Sequence, residues 1–159
     1  MSRHEIITRG GSFVIRRAKD ADIESIVALL QDDPLGKERE GSDWSRYKAA
    51  FQEIDNDPNQ YLAVVVDTQD RVIGTMQLTL IPGLSRNAAK RLQIEAVRIA
   101  STMQGLGIGT ALFDWAHAYG REHNADLSQL TSDKSRNNAL NFYAALGYVD
   151  SHEGLKLVL

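Results

Sequence analysis

The densest chemical signal in the chain is Gln104-Gly105-Leu106-Gly107-Ile108-Gly109-Thr110, where three glycines alternate directly ahead of a helical apolar pattern. Positions without a Cβ let a bulky anion come close to the main chain. Amides at a helix start point toward such a guest with the positive end of the helix dipole. A phosphate or pyrophosphate is the natural ligand, and a glycine-rich strand-to-helix turn with no ligand is the other reading. A Walker A loop needs a lysine after its last glycine, but no lysine occurs between Arg91 and Lys134, so an ATPase reading fails. A Rossmann fingerprint matches poorly, because Thr110 stands at its third glycine, although Asp133 lies just beyond the next predicted strand. The four histidines, His4, His117, His123 and His152, form no metal pattern. The first three are expected in solvent and His152 in an exposed loop.

The elements that must position this loop are legible from apolar periodicity. A polar tail over residues 1–11, with Gly10-Gly11 at its end, precedes a domain over residues 12–159. A strand over Phe13 to Arg16 is followed by a helix on Ile23, Ile26, Val27 and Leu30, with Asp20 as its cap. Asp32-Asp33-Pro34 and Gly36 break that helix, and residues 31–42 read as a mobile loop. Asp43 can cap a second helix that aligns Trp44, Tyr47, Phe51 and Ile54. Tyr61 to Val66 and Val72 to Ile81 form a hairpin around Asp67-Thr68-Gln69-Asp70, and Arg91 to Ala100 adds a strand. A long helix starts at Gly107. Leu127 to Thr131 is a strand, Asn137 to Leu146 a helix closed by Gly147, and Leu155 to Leu159 a last strand. The order predicts one α/β (α+β) domain, a central mixed and mostly antiparallel twisted sheet flanked by about four helices.

Composition bounds the function. With 159 residues, 43% hydrophobic and 25% charged, the chain is one ordinary globular domain rather than a disordered or repetitive one. Its 18 Lys and Arg against 21 Asp and Glu give a net charge of −3, which excludes a protein that grips nucleic acid mainly through phosphates. The absence of cysteine removes disulfides, cysteine-rich zinc sites and a cysteine nucleophile. The longest apolar run, Leu62 to Val66, is far short of the roughly 20 residues of a membrane helix. No signal peptide is read in residues 1–15, and a cytoplasmic location is expected.

The glycine loop resembles the signature of the GCN5-related N-acetyltransferases, Arg/Gln-x-x-Gly-x-Gly/Ala between a strand and a helix. Ala139-Leu140-Asn141-Phe142-Tyr143-Ala144-Ala145-Leu146-Gly147-Tyr148 is similar to the family's C-terminal helix pattern. The resemblance runs from about Phe13 to Leu159. Gln104 stands where the family usually has arginine, and Arg136, followed by Asn137 and Asn138, stands where asparagine is frequent. The resemblance implies acetyl-CoA as cosubstrate and no metal. The amides of Gln104, Gly105, Leu106, Gly107, Ile108, Gly109 and Thr110 would hold the pyrophosphate, and pantetheine would run beside Val97, Arg98 and Ile99. Arg136, Asn138, Ala139 and Tyr143 would complete the cofactor side. Main-chain amides bind phosphate without basic side chains, so a net charge of −3 is no obstacle.

Acetyl transfer requires a neutral amine, since an alkylammonium has no lone pair, and a base or a water relay must remove its proton. Glu95 is the candidate base: strand positions two apart share a face, which turns it to the side of Val97. A solvated strand carboxylate is the alternative. The departing thiolate needs a proton, and the resemblance assigns that role to Tyr143; a packed core tyrosine is the alternative. Direct attack through a ternary complex follows. The acceptor is expected to be a small-molecule primary amine, and the resemblance implies that its site is bordered by the first two helices, the loop over residues 31–42 and the loop from Pro82 to Lys90. Trp44, Tyr47 and Arg86 are candidates there, with packing for the aromatics and solvation for the arginine as the alternatives; Arg86, Lys90 and Arg91 would suit an acceptor with a carboxylate or phosphate, or form a solvated charge cluster. A protein lysine or N-terminal acetyltransferase and a non-catalytic acyl-CoA-binding module are the alternatives. Neither nucleic acid nor a membrane is an expected partner, while a homodimer is, as among many relatives.

Overall fold

The computed structural model describes residues 3–159, with the backbone alone at Asn137. Its frame is one six-stranded sheet in sequential order. The strands are β1 (His4–Thr8), β2 (Gly11–Arg17), β3 (Gln60–Val66), β4 (Val72–Ile81), β5 (Arg91–Ile99) and β6 (Leu127–Leu130). Every neighbouring pair is antiparallel except β5 and β6, which run parallel. The parallel step requires a crossover, and the long helix between the two strands supplies it.

The helices are α1 (Ile23–Gln31), α2 (Pro34–Arg39), α3 (Trp44–Asn56), α4 (Ser85–Ala88), α5 (Ile108–Glu122) and α6 (Asn137–Ala145). They cover both faces of the sheet, as its strand patterns demand. Tyr61, Ala63, Val65, Met76, Leu78, Leu92 and Ile94 point to one face and pack with Ile108, Leu112, Phe113 and Ala116 of α5, while Phe142 and Tyr143 of α6, with Leu146 just after it, close over them. Leu62, Val64 and Val66 point to the other face, against Ile26 and Leu30 of α1 and Phe51 and Ile54 of α3. Because β3 is covered on both sides, it reads as a continuous apolar run rather than an alternation.

Several expectations are corrected. Residues 4–8 of the expected tail form β1, because Ile6 pairs with Phe13 and buries its side chain in the core, and Gly11, at φ +116°, permits the tight return. Residues 1 and 2 lie outside the described residues. The expected mobile loop contains α2, whose Asp33 cap accepts from the amide of Gly36, with Pro34 in the first turn. Gly36 is required there: a Cβ would lie 1.7 Å from the carbonyl oxygen of Leu30. Helices therefore exceed the expected four. Asp20 caps nothing; a 3-10 turn over Asp20–Asp22 precedes α1, and Asp22 instead takes the amide of Lys19 and a bidentate pair with the buried Arg16. Asp43 caps α3 as expected, accepting from Ser45 and Arg46. Residues 155–159 form no strand. They pair with no neighbouring strand, and Leu155, Leu157, Val158 and Leu159 are exposed.

Candidate functional site

The sheet opens between β5 and β6. Their parallel pairing runs from Arg91 with Leu127 to Ile94 with Leu130 and stops there, so residues 95–99 of β5 have no partner on that side. On the β4 side the ladder also skips: Gln77 faces Glu95 and Thr75 faces Arg98, so that Met76 of β4 stands against Ala96 and Val97 of β5. Ala96, at φ +52°, makes this bulge. The main chain at Ala96 and Val97 is left outside both ladders, at the point where β5 parts from β6.

The bulge corrects the expected orientation of Glu95. Cross-strand partners share a face, so Glu95 lies on the side of Gln77, Thr75 and Arg98, the α1–α3 side, and not with Val97. It is exposed there, at the end of a polar row in which Gln77 and Thr79 donate to Gln60 and Gln129 donates to Gln93. Val97 and Ile99 are half-buried against the opposite core.

The glycine loop begins with a 3-10 turn over Ser101–Met103 and ends at Gly107, the N-cap of α5. Gly105 and Gly107 have φ of +75° and +85°, the left-handed region that an L side chain rarely adopts, while Gly109 is helical and a Cβ there would meet only the ring of Phe142 at 3.5 Å. Two glycines shape the turn and the third faces α6. No side chain caps α5, so the first-turn amides of Ile108, Gly109 and Thr110 face outward from the helix start. Gln104 is exposed and donates to the carbonyl of Ile99 at 3.2 Å. These features, unspent amides beside a splayed strand and a glycine turn, fit a ligand with an amide-bearing arm and a phosphate group.

Two contacts at the loop escaped the sequence reading. Arg9, in the turn between β1 and β2, donates to the carbonyl of Gly105 at 3.1 Å, so a cation does stand beside the loop. Asp32 accepts from the amide of Ser101 at 3.2 Å and ties the end of α1 to the same segment. Only a folded β1–β2 hairpin brings Arg9 there, whereas Asp32-Asp33 in the sequence reads simply as a helix breaker.

Tyr143 is half-buried on α6, its ring edge-on to Phe113, Phe142 and Tyr148. Burial pushes its hydroxyl above the ordinary tyrosine range, against the pull of Arg136 and Arg98, so it stays protonated at neutral pH. Arg136 is the residue before α6, and its guanidinium reaches the carboxylate of Asp33 on the α1–α2 corner. Arg98 approaches the same carboxylate at 3.6 Å and donates to the carbonyl of Val97 at 2.8 Å. Asp33 thus joins the α1–α2 corner to β5 and to α6 beside the opening. Asn138 is exposed and Ala139 half-buried in the first turn of α6.

The remaining candidates divide. Tyr47 turns toward the corner, donating to Glu40 at 2.5 Å and accepting from the amide of Gly41, with Trp44 beside it at 5.8 Å between ring centroids. Lys90 does not join them: its ammonium donates to the carbonyl of His123 at the end of α5. Arg86 lies in α4, a single turn in which Arg86, Asn87 and Ala88 all have positive φ. His117, expected in solvent, is half-buried and bonded to the hydroxyl of Tyr148, which also meets Ser128; burial lowers its pKa. His123 stacks on Tyr119.

Comparison with known proteins places this geometry. Residues 23–148 match the model of the acetyltransferase (GNAT) family. The aminoalkylphosphonate N-acetyltransferase of Salmonella typhimurium is 28% identical over 138 residues, covering 87% of this chain and 86% of that protein. A Bacillus halodurans C-125 structure, described as a transcriptional regulator, superposes with a TM-score of 0.88 at 40% identity over 92% of this chain and 99% of that one. The glucosamine-6-phosphate N-acetyltransferase of Arabidopsis thaliana has the same fold, with a TM-score of 0.75 at 16% identity over 92% and 97% of the two chains.

Proposed function

The chain belongs to the acetyltransferase (GNAT) family, and from that premise we propose that it transfers the acetyl group of acetyl-CoA to a primary amine of a small molecule by direct attack in a ternary complex. Enzymes of this family use acetyl-CoA. The observation that carries the reading is the coincidence, at one opening, of an uncapped helix start, an unpaired stretch of β5 and a protonated tyrosine. The Salmonella relative, named for an aminoalkylphosphonate, supports a small acceptor rather than a protein.

The amides of Gln104 to Thr110 would hold the pyrophosphate, and the free main chain around Val97 and Ile99 would take the amides of the pantetheine arm. Glu95, on the α1–α3 side of the opening, accepts a proton from the acceptor ammonium, directly or through water. The neutral amine attacks the thioester carbonyl and the new C–N bond forms; as the tetrahedral adduct collapses, the C–S bond breaks and the nitrogen releases its second proton to water. Tyr143 gives its proton to the departing thiolate and is reprotonated from solvent. Holding amine and thioester in line supplies much of the rate, without an acetyl-enzyme, for which the chain has no cysteine.

Calorimetric titration with acetyl-CoA, followed by thiol release across amino acids, polyamines, amino sugars, aminoglycosides and peptides, tests the proposal. Binding with turnover on small amines is expected. Binding without turnover on any amine would leave a non-catalytic acyl-CoA module, turnover on peptides alone would leave a protein acetyltransferase, and no binding would remove all three. A homodimer is part of the same reading, and sizing in solution checks it. No helix among the described residues is long and apolar enough to cross a membrane.

A further inference from the structure

Arg98 is half-buried and poorly satisfied. Its Nη1 donates to the carbonyl of the adjacent Val97, its Nη2 stands 3.6 Å from Asp33 Oδ2, beyond a good hydrogen bond, and its Nε is buried with no partner among the described residues. A guanidinium carries five donors in a planar fork, and leaving them desolvated and unused is costly. Arg136 reaches the same oxygen of Asp33, which also accepts from the amide of Gly36 at 3.2 Å. One carboxylate oxygen therefore serves two guanidiniums and a helix cap. Glu40, also within electrostatic reach of Arg98, is taken by the hydroxyl of Tyr47.

Arg98 lies on the sheet face of Glu95, and with Arg136 it acts electrostatically on Tyr143. Two convergent guanidiniums match the paired oxygens of a carboxylate, phosphate or phosphonate. Resting on the acetyl-transfer reading above, we propose that Arg98 and Arg136 clamp an anionic group carried by the acceptor amine, and that Asp33 occupies their donors until the acceptor arrives. The acceptor is then an amine bearing an acidic group, and Asp33 competes with that group for the arginines.

The test compares 2-aminoethylphosphonate, phosphoethanolamine and β-alanine with uncharged propylamine and ethanolamine, by calorimetry on the CoA-loaded protein and by kcat/KM. The anionic amines are expected to bind at least about tenfold more tightly, one charge-assisted bidentate contact being worth that much. Their ranking tells carboxylate from phosphorus acids. Arg98→Gln and Arg136→Gln, each measured with saturating CoA, should erase the preference for anionic over uncharged amines, whatever they do to the affinity for acetyl-CoA. Asp33→Asn keeps a capping side chain but loses the charge, and should tighten binding of the anionic amines severalfold. Equal binding of charged and uncharged amines, or weaker anion binding in Asp33→Asn, overturns the clamp. Arginine-dependent binding of the anions in a protein that does not bind acetyl-CoA overturns the acetyl-transfer reading and leaves the clamp standing.

Discussion

On the side of the opening where β5 turns into α5, the chain presents main chain: two left-handed glycines, outward amides and a stretch of β5 released from β6. On the side of α1, α2 and α3 it presents side chains, with Asp33, Arg98, Arg136, Glu40, Tyr47 and Glu95 gathered from four separate places: the caps of α2, helix α3, strand β5 and the start of α6. On the proposed reading the first arrangement would recognise the cosubstrate, for which amides at fixed spacing suffice. The second depends on which side chains stand at positions the fold merely brings together. Such a wall can change its guest without changing its frame.

Tyr143 stands where the two sides meet, and Tyr143→Phe should have the largest effect. We expect kcat to fall by about 100-fold or more, as for loss of a general acid, with the affinity for acetyl-CoA intact by calorimetry; full activity would remove the tyrosine from the chemistry. The backbone side is tested by Gly107→Ala, whose φ of +85° should make the protein less stable by about 1–2 kcal/mol and weaken acetyl-CoA binding about tenfold. Thermal unfolding and titration read both, and unchanged binding would show that the amides of this turn are not the contact. On the side-chain wall, Glu95→Gln should reduce kcat/KM about tenfold at acid pH and converge on the parent at alkaline pH, where the amine loses its proton unaided. A parallel pH profile would reject the base.

The smallest effect concerns Asp133, at the rim of the same wall. The hydroxyl and amide of Ser135, then Arg39, hold its carboxyl down to about 2. Because the folded value lies below the unfolded 3.8, whatever stability it lends is complete above that pH and disappears as pH falls through about 2. Arg39→Ala should raise this value in a carboxyl titration while leaving it depressed, and should hardly move the thermal midpoint at neutral pH, since the pair is exposed.

The same contrast explains what could be read from the sequence. The glycine turn, the β3–β4 hairpin and the aromatic helix α6 are local patterns; Gly105 and Gly107 stand out by type and spacing, and Tyr143 through the resemblance of its helix to the family's C-terminal pattern. The wall is not local: Asp33 and Arg136 meet across 103 positions of chain, and Arg9 reaches Gly105 across 96. Glu95 was legible as a residue but not in its direction. The extra residue at Ala96 breaks the alternation that any strand argument assumes, and nothing in an alanine announces a positive φ. β1 was hidden because a strand with only Ile6 buried looks, in sequence, like a polar tail.

Gly36 carries a different kind of consequence. Its Cα abuts the Leu30 carbonyl so closely that no side chain fits, which fixes the corner from which Asp33, Arg39 and Glu40 project. Substitutions at those projecting positions change what the corner offers, whereas a substitution at Gly36 displaces the corner itself. In a mutational scan the glycine should then be the intolerant site and its charged neighbours the tolerant ones. Divergence in acceptor preference would be written around an immobile residue that touches no acceptor.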